Sequence, residues 1–207
     1  MARRYLLVDD NEAFAENVAE ILSDAGAEVI CAYDGERALD AVTRTRFDAM
    51  VTDMKMPGVS GSELLRRVRQ RDPGLPVVLV SAYTRNEQLA EARQLGLLAF
   101  FAKTSGPGEL LSLLSHARRD ATVLVATNDE ARLEQLRDAL ALHGITVCNA
   151  VGDEVPPVGR PIAILADAST ARLQALFPSV PVLSARDPID ALSSRLDALC
   201  PQPSATP

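Results

Sequence analysis

Five polar side chains stand at the ends of short apolar runs: Asp9 and Asp10 after Tyr5-Leu6-Leu7-Val8, Asp53 after Ala49-Met50-Val51-Thr52, Ser81 after Pro76-Val77-Val78-Leu79-Val80, and Lys103 after Leu97-Leu98-Ala99-Phe100-Phe101-Ala102. If those runs are neighbouring parallel strands, the five side chains meet at one sheet edge. Three carboxylates gathered there repel one another at neutral pH, and a divalent cation is their natural neutraliser. Oxygen-only ligands favour Mg²⁺, which keeps several waters and suits phosphoryl chemistry. A carboxylate such as Asp53 can attack a phosphoryl group to give an acyl phosphate. The charge on the moving oxygens then needs stabilising, which Mg²⁺, the Lys103 ammonium and the Ser81 hydroxyl can share.

The elements that must position these groups alternate in type. Phe14, Val18, Ile21 and Leu22 recur at helical spacing before Gly26. Glu28 to Ala32 reads as a second strand, Ala38, Leu39 and Val42 as a second helix, and Phe47 to Thr52 as a third strand. Pro57-Gly58 ends it. A third helix runs through Leu64, Leu65 and Val68 to Asp72-Pro73-Gly74, with Arg66, Arg67, Arg69 and Arg71 on an expected solvated face. A fourth helix is predicted from about Arg85 to Leu95, and a fifth from Pro107 to about Arg118. The near-continuous apolar strands indicate a parallel sheet covered on both faces. Right-handed crossovers make it doubly wound, an α/β (βα)5 fold whose carboxyl edge takes ligands.

Composition excludes several classes. The chain has 207 residues, 47% hydrophobic and 24% charged, with a net charge of −7. Both halves are acidic, so neither is a basic nucleic-acid-binding module and no nucleic-acid partner is expected. Aromatics make up 4%, leaving the cores to aliphatic residues. Cys31, Cys148 and Cys200 are odd in number and widely spaced, which indicates reduced thiols in a cytoplasmic protein rather than disulfides or a metal site. No apolar run approaches the ~20 residues of a membrane helix, and no membrane partner is expected. Aspartates follow the first apolar run at once, which excludes a signal peptide. No GxGxxG or P-loop follows the first strand. His116 and His143 fall near helix ends, where a cation suits the dipole.

In four pieces, residues 4–118 resemble a receiver domain of a two-component response regulator. These are Leu7-Val8-Asp9-Asp10, Val51-Thr52-Asp53-Met54-Lys55-Met56-Pro57-Gly58, Leu79-Val80-Ser81-Ala82 and Phe100-Phe101-Ala102-Lys103. The resemblance implies a flavodoxin-like strand order 2-1-3-4-5 and phosphorylation of Asp53 by a histidine kinase or phosphotransfer protein. It further implies that Asp10, Asp53 and the backbone carbonyl of Lys55 hold Mg²⁺, with Asp9 acting mainly through water. Ser81 takes the place of the switch hydroxyl and Phe100 that of the switch aromatic. Lys55 and Tyr83 take the positions that tune dephosphorylation. Such a protein is a phosphoacceptor with autophosphatase chemistry only, not an enzyme with turnover. Homodimerisation through the face made by the fourth helix, fifth strand and fifth helix is a further expectation. One departure stands out: Thr104 follows Lys103 where the family usually has proline.

The second half repeats the first in degenerate form. Thr122 to Ala126 reads as a strand, and a helix then runs through Leu133, Leu136 and Leu140 to His143-Gly144. Ile145 to Cys148 is a further strand. Ile162 to Asp167 sets Asp167 opposite Asp53. Val180 to Leu183 is the next strand, and Pro188 opens a last helix. Ala126 and Thr127 stand where an acidic pair belongs, and no lysine-bearing fifth strand follows. The expected organisation is a receiver over 1–119, a truncated pseudo-receiver-like α/β domain over 120–200 that is not phosphorylated, and a disordered tail over 201–207. With no DNA-binding or enzymatic output module in the sequence, output by protein–protein contact is the default. The rival readings are a phosphorylation-independent adaptor with a vestigial acidic pocket and an aspartate-dependent phosphatase. Lys55 occupies the second Asp position of the DxDxT pattern that the phosphatase would need.

Overall fold

The protein is described from a computed structural model over residues 2–82, 92–150, 159–167 and 170–200. The first sheet is formed by β1 (Arg4–Val8), β2 (Glu28–Ala32), β3 (Ala49–Asp53), β4 (Val77–Ser81) and β5 (Ala99–Ala102). All pairs are parallel, in the order β2-β1-β3-β4-β5. Around it lie α1 (Glu12–Asp24), α2 (Gly35–Arg44), α3 (Gly61–Arg71) and α4 (Pro107–His116). Tyr83 and most of the helix expected at 85–95 fall outside the described residues.

Alternation along the strands builds two cores. Leu6, Val8, Met50 and Leu79 pack on one face with Leu64, Leu65 and Val68 of α3. Tyr5, Leu7, Val51 and Val78 pack on the other with Leu110 and Leu114 of α4. Both faces are thus covered, which is why β3 and β4 are buried throughout. Side chains fix the helix starts: Asn11 accepts the Phe14 N–H, Asp34 that of Arg37 and Ser60 that of Glu63. His116 closes α4 as expected.

The second sheet is β6 (Thr122–Ala126), β7 (Thr146–Asn149), β8 (Ala163–Ala166) and β9 (Val182–Ser184), parallel, in the order β7-β6-β8-β9. It carries α5 (Glu130–Leu142), α6 (Ala171–Leu176) and α7 (Ile189–Leu199). Its order repeats the first four strands of the first sheet, and among the described residues no strand pairs beyond β9. The pairing also corrects the sequence correspondence by one residue. Val8 pairs with Thr52 and Ala126 with Ala166, so Thr127 and Asn128, not Ala126 and Thr127, stand where Asp9 and Asp10 stand.

The two units are joined without slack. Within the connector, the Arg118 N–H donates to the Gly144 carbonyl and the Asp120 N–H to that of Gly74, each at 3.0 Å. Arg119 grips Asp72 through one guanidinium nitrogen at 2.7 and 2.8 Å, and Arg118 reaches Asp197 at 2.7 Å. Beyond the connector, Leu97 forms an antiparallel bridge with Val147. The Cys148 thiol donates to the Gln94 carbonyl at 3.3 Å, and Arg93 pairs with Glu134 at 2.9 Å. Ala141 of α5 packs into the core beside Leu110 and Leu114.

One arginine is not where the sequence reading puts it. Arg66 and Arg67 pair with Glu63 on the surface of α3, but Arg69 is 2% exposed. Its guanidinium donates to the carbonyls of Leu75 (2.6 Å), Leu95 (2.9 Å) and Gly96 (2.5 Å). Turns on either side of the α3 terminus present backbone acceptors there, and five fixed N–H donors fit them.

Candidate functional site

Sheet topology brings together the residues singled out from sequence. β1 lies between β2 and β3, so the chain departs in opposite directions on either side of β1 and β3, leaving a crevice at their carboxyl ends. Asp9 follows β1 and is 1% exposed, while Asp53 is the last residue of β3 and 8% exposed. Asp10 faces solvent. Carboxylate oxygens of all three lie within 4.8 Å of one another. Ser81 ends β4 and is buried. Gly61 explains how the loop after β3 closes so tightly: a Cβ there would meet the Asp53 carbonyl at 2.3 Å.

Lys103, just past β5, ties the cluster together. Its Nζ donates to Asp9 Oδ2 at 2.6 Å and to Asp53 Oδ2 at 3.1 Å. Asp9 Oδ1 also accepts the Asn11 N–H at 3.0 Å. Burial pushes the Asp9 carboxyl above its ordinary range, against the lowering effect of Lys103 and the Asn11 N–H. Burial alone would pull the Lys103 ammonium down, but its bonds to Asp9 and Asp53 outweigh that and hold it above its usual value. The lysine is therefore a fixed positive charge between two carboxylates.

The donor set fits a magnesium ion: three carboxylates, two held from below by lysine and one open to water, with no sulfur or imidazole among them. Lys55, two residues past Asp53, is exposed. Phe100 lies in β5, half-buried against the core that holds Leu79 and Leu97. Among the described residues there is no cis peptide bond. After Lys103 the chain turns, with the Ser105 N–H donating to the Ala102 carbonyl at 2.9 Å.

The sequence reading passed over Phe14. Its helical spacing marked it as a core residue, yet its ring lies 4.6 Å from Lys103 Nζ. Its place on the first turn of the helix that directly follows the acidic pair is the available signal.

The equivalent edge of the second sheet has a different composition. Asp167 follows β8 as Asp53 ends β3, but the Thr127 hydroxyl donates to it at 2.7 Å. A crevice of about 640 Å³ opens there, lined by Asn128, Asp129, Arg132, Asp167 and Arg186. Arg132 is held by the Ala185 and Asp187 carbonyls. Two guanidiniums and two carboxylates replace the acidic cluster and its lysine.

The model of the response regulator receiver domain family matches residues 5–115, more than half the chain. The chain belongs to the response regulator receiver family. A response regulator receiver protein of Anaeromyxobacter sp. (strain Fw109-5) is 39% identical over 194 residues, covering 87% of this chain and 81% of the relative. That similarity reaches well into the second unit. Sporulation initiation phosphotransferase F of Bacillus subtilis is 35% identical over 103 residues, covering 50% of this chain and 83% of its own. Among solved structures, the receiver domain of a sensor histidine kinase from Pseudomonas aeruginosa matches with a TM-score of 0.52 at 25% identity, over 56% of this chain and 96% of that one. That structure has a magnesium ion coordinated in its active-site cleft. The protein is thus a receiver of two-component signalling, where phosphorylation on aspartate is the general mechanism, and neither rival reading is favoured.

Proposed function

We propose that Asp53 is the phosphoacceptor of this response regulator and that residues 120–200 form a chemically silent second receiver. The observation that carries this is Lys103 bridging Asp9 and Asp53 within a cluster of three carboxylates. An Asp53 oxygen attacks the phosphorus of a phosphohistidine on the kinase or phosphotransfer protein. The O–P bond forms as the P–N bond breaks, and the imidazole nitrogen leaves with its electron pair. Asp10, Asp53 and the Lys55 carbonyl would hold magnesium, with Asp9 through water, and the bound ion supplies charge neutralisation for the transferring oxygens. Lys103 exchanges its bond to Asp53 for one to a phosphoryl oxygen, and the Ser81 hydroxyl takes another.

Drawing Ser81 toward the phosphoryl group leaves room for Phe100 to turn inward. This reshapes β5 and the segment leading into it, where the second unit is seated through Leu97, Gln94 and Arg93. The second unit is thus the first reader of the phosphorylated state, and output passes by protein contact in the cytoplasm, with no nucleic acid and no membrane. No helix among the described residues is long and apolar enough to cross a membrane. A homodimer through the same face would compete with the second unit, so it forms only where that unit gives way. The chemistry on Asp53 is self-dephosphorylation, not turnover of a substrate.

Intact mass after treatment with acetyl phosphate and Mg²⁺ tests this reading. One phosphoryl adduct that disappears in Asp53→Ala is expected. Two adducts would make Asp167 reactive and reject the silent second unit. A folded protein with no adduct would reject the phosphoacceptor.

A further inference from the structure

We propose that Phe14 is a positioning residue for the phosphorylation reaction: its ring face holds the Lys103 ammonium in line with Asp9 and Asp53. This rests on the reading of Asp53 as phosphoacceptor and adds a member to that site.

Four contacts close a circuit. Asp9 Oδ1 accepts the Asn11 N–H at 3.0 Å. Asn11 Oδ1 accepts the Phe14 N–H at 3.1 Å, fixing the first turn of α1. The Phe14 ring stands 4.6 Å from Lys103 Nζ. Lys103 returns to Asp9 Oδ2 at 2.6 Å. The two carboxylates satisfy two directions of the ammonium, and the negative face of the ring takes a third. Only 21% of the lysine side chain is exposed, and a cation–π contact gains strength as water is excluded.

The chain at Lys103 is tied to the sheet by the Lys103 N–H, which donates to the Ser81 carbonyl at 2.9 Å, but that bond does not orient the side chain. The chain continues Thr104-Ser105-Gly106, with no proline until Pro107, so the loop backbone is not stiffened by a ring. The lysine side chain has four rotatable bonds, and its order must come from its partners. Of its two carboxylate partners, Asp53 gives up its bond to Lys103 as it takes the phosphoryl group, which leaves Asp9 and the ring to hold the ammonium in place. The ring face keeps its attraction through the whole reaction. It holds the ammonium where the phosphoryl oxygens arrive, whatever the state of Asp53.

The test uses the full chain with Phe14→Leu, Phe14→Tyr and a series of increasingly fluorinated phenylalanines at position 14. Leucine keeps apolar bulk without a π face, tyrosine keeps the face, and fluorine weakens it stepwise at nearly constant shape. The expected result is a fall of about two- to tenfold in the maximal rate of labelling by acetyl phosphate for Phe14→Leu. Half-saturation should change little, tyrosine should restore the rate, and the rate should decline with each added fluorine. The Lys103 ε-methylene protons should show an upfield ring-current shift in the wild type that is absent in Phe14→Leu. Equal rates for leucine and phenylalanine, a flat fluorine series, or no ring-current shift would each overturn the assignment. Absence of an adduct on the wild type would reject Asp53 as phosphoacceptor, while the ring-current measurement still decides whether Phe14 holds Lys103.

Discussion

Leu97 of the receiver and Val147 of the second unit form a single antiparallel bridge, so the segment entering β5 is bonded to the edge of another sheet. Any rearrangement of β5 acts on that bridge. Stable beryllofluoride activation should therefore speed hydrogen exchange at the backbone amides of residues 96–98 and 146–148, with little change in β6 or β8. Unchanged exchange along this seam in the activated protein would reject the second unit as a reader of the switch.

Gly144 is a point where the two units touch backbone to backbone. Its φ is +71°, and a Cβ there would lie 1.7 Å from the His116 carbonyl oxygen. Gly144→Ala should cost about 3 kcal/mol or more, since both the left-handed backbone and the close approach are lost. Gly108, in the first turn of α4, is the opposite case: a Cβ added there would meet nothing within 4 Å. Gly108→Ala should instead stabilise by about 0.4–1 kcal/mol. Thermal unfolding of the two variants separates them.

Arg69 should be among the most sensitive arginines despite lying far from the acidic cluster. Arg69→Met leaves the carbonyls of Leu75, Leu95 and Gly96 without their donor in a buried place. A loss of about 3–5 kcal/mol in urea unfolding is expected, set by desolvated acceptors rather than by lost charge. A loss below about 1 kcal/mol would mean that water replaces the guanidinium.

Cys148 should impose a pH dependence of known sign. Burial pushes its thiol from 9.0 up to about 12, against the pull of Arg69 and Arg137. Between those values the unfolded chain loses the proton and the folded chain keeps it, so the folded state binds more protons and stability falls as pH rises. The contribution is intact below pH 9 and declines by about 1.4 kcal/mol per pH unit above it. Denaturant titrations from about pH 8 to about pH 10.5 should show a steeper decline for the wild type than for Cys148→Ala. Parallel curves would contradict the burial of this thiol.

Magnesium should stabilise the folded protein through the acidic cluster. At a hundredfold excess over its dissociation constant the gain is about 2.7 kcal/mol, seen as a rise in Tm. Asp10→Ala removes the exposed carboxylate of the three and should abolish most of that rise. It should also raise Tm in metal-free buffer, because one repelling charge is gone. A Tm that rises equally in both proteins would place the ion elsewhere.

Much of the receiver was legible in the sequence because its signals are local. Apolar runs of strand length, the helical spacing of Phe14, Val18, Ile21 and Leu22, and the spacing of Asp9, Asp10, Asp53, Ser81 and Lys103 define both the parallel sheet and the edge where chemistry can occur. The repeat after residue 120 was equally plain, since β6 to β9 obey the same patterning. Tertiary structure alone decided three things. It set the register that makes Thr127 and Asn128, rather than Ala126 and Thr127, the counterparts of Asp9 and Asp10, because pairing and not similarity fixes which residues stand level. It buried Arg69, whose acceptors come from turns at 75 and 95–96 that no helical periodicity can anticipate. It laid the Phe14 ring against Lys103, far along the chain. A helical apolar residue reads as core in sequence, and only packing reveals that its π face meets a cation.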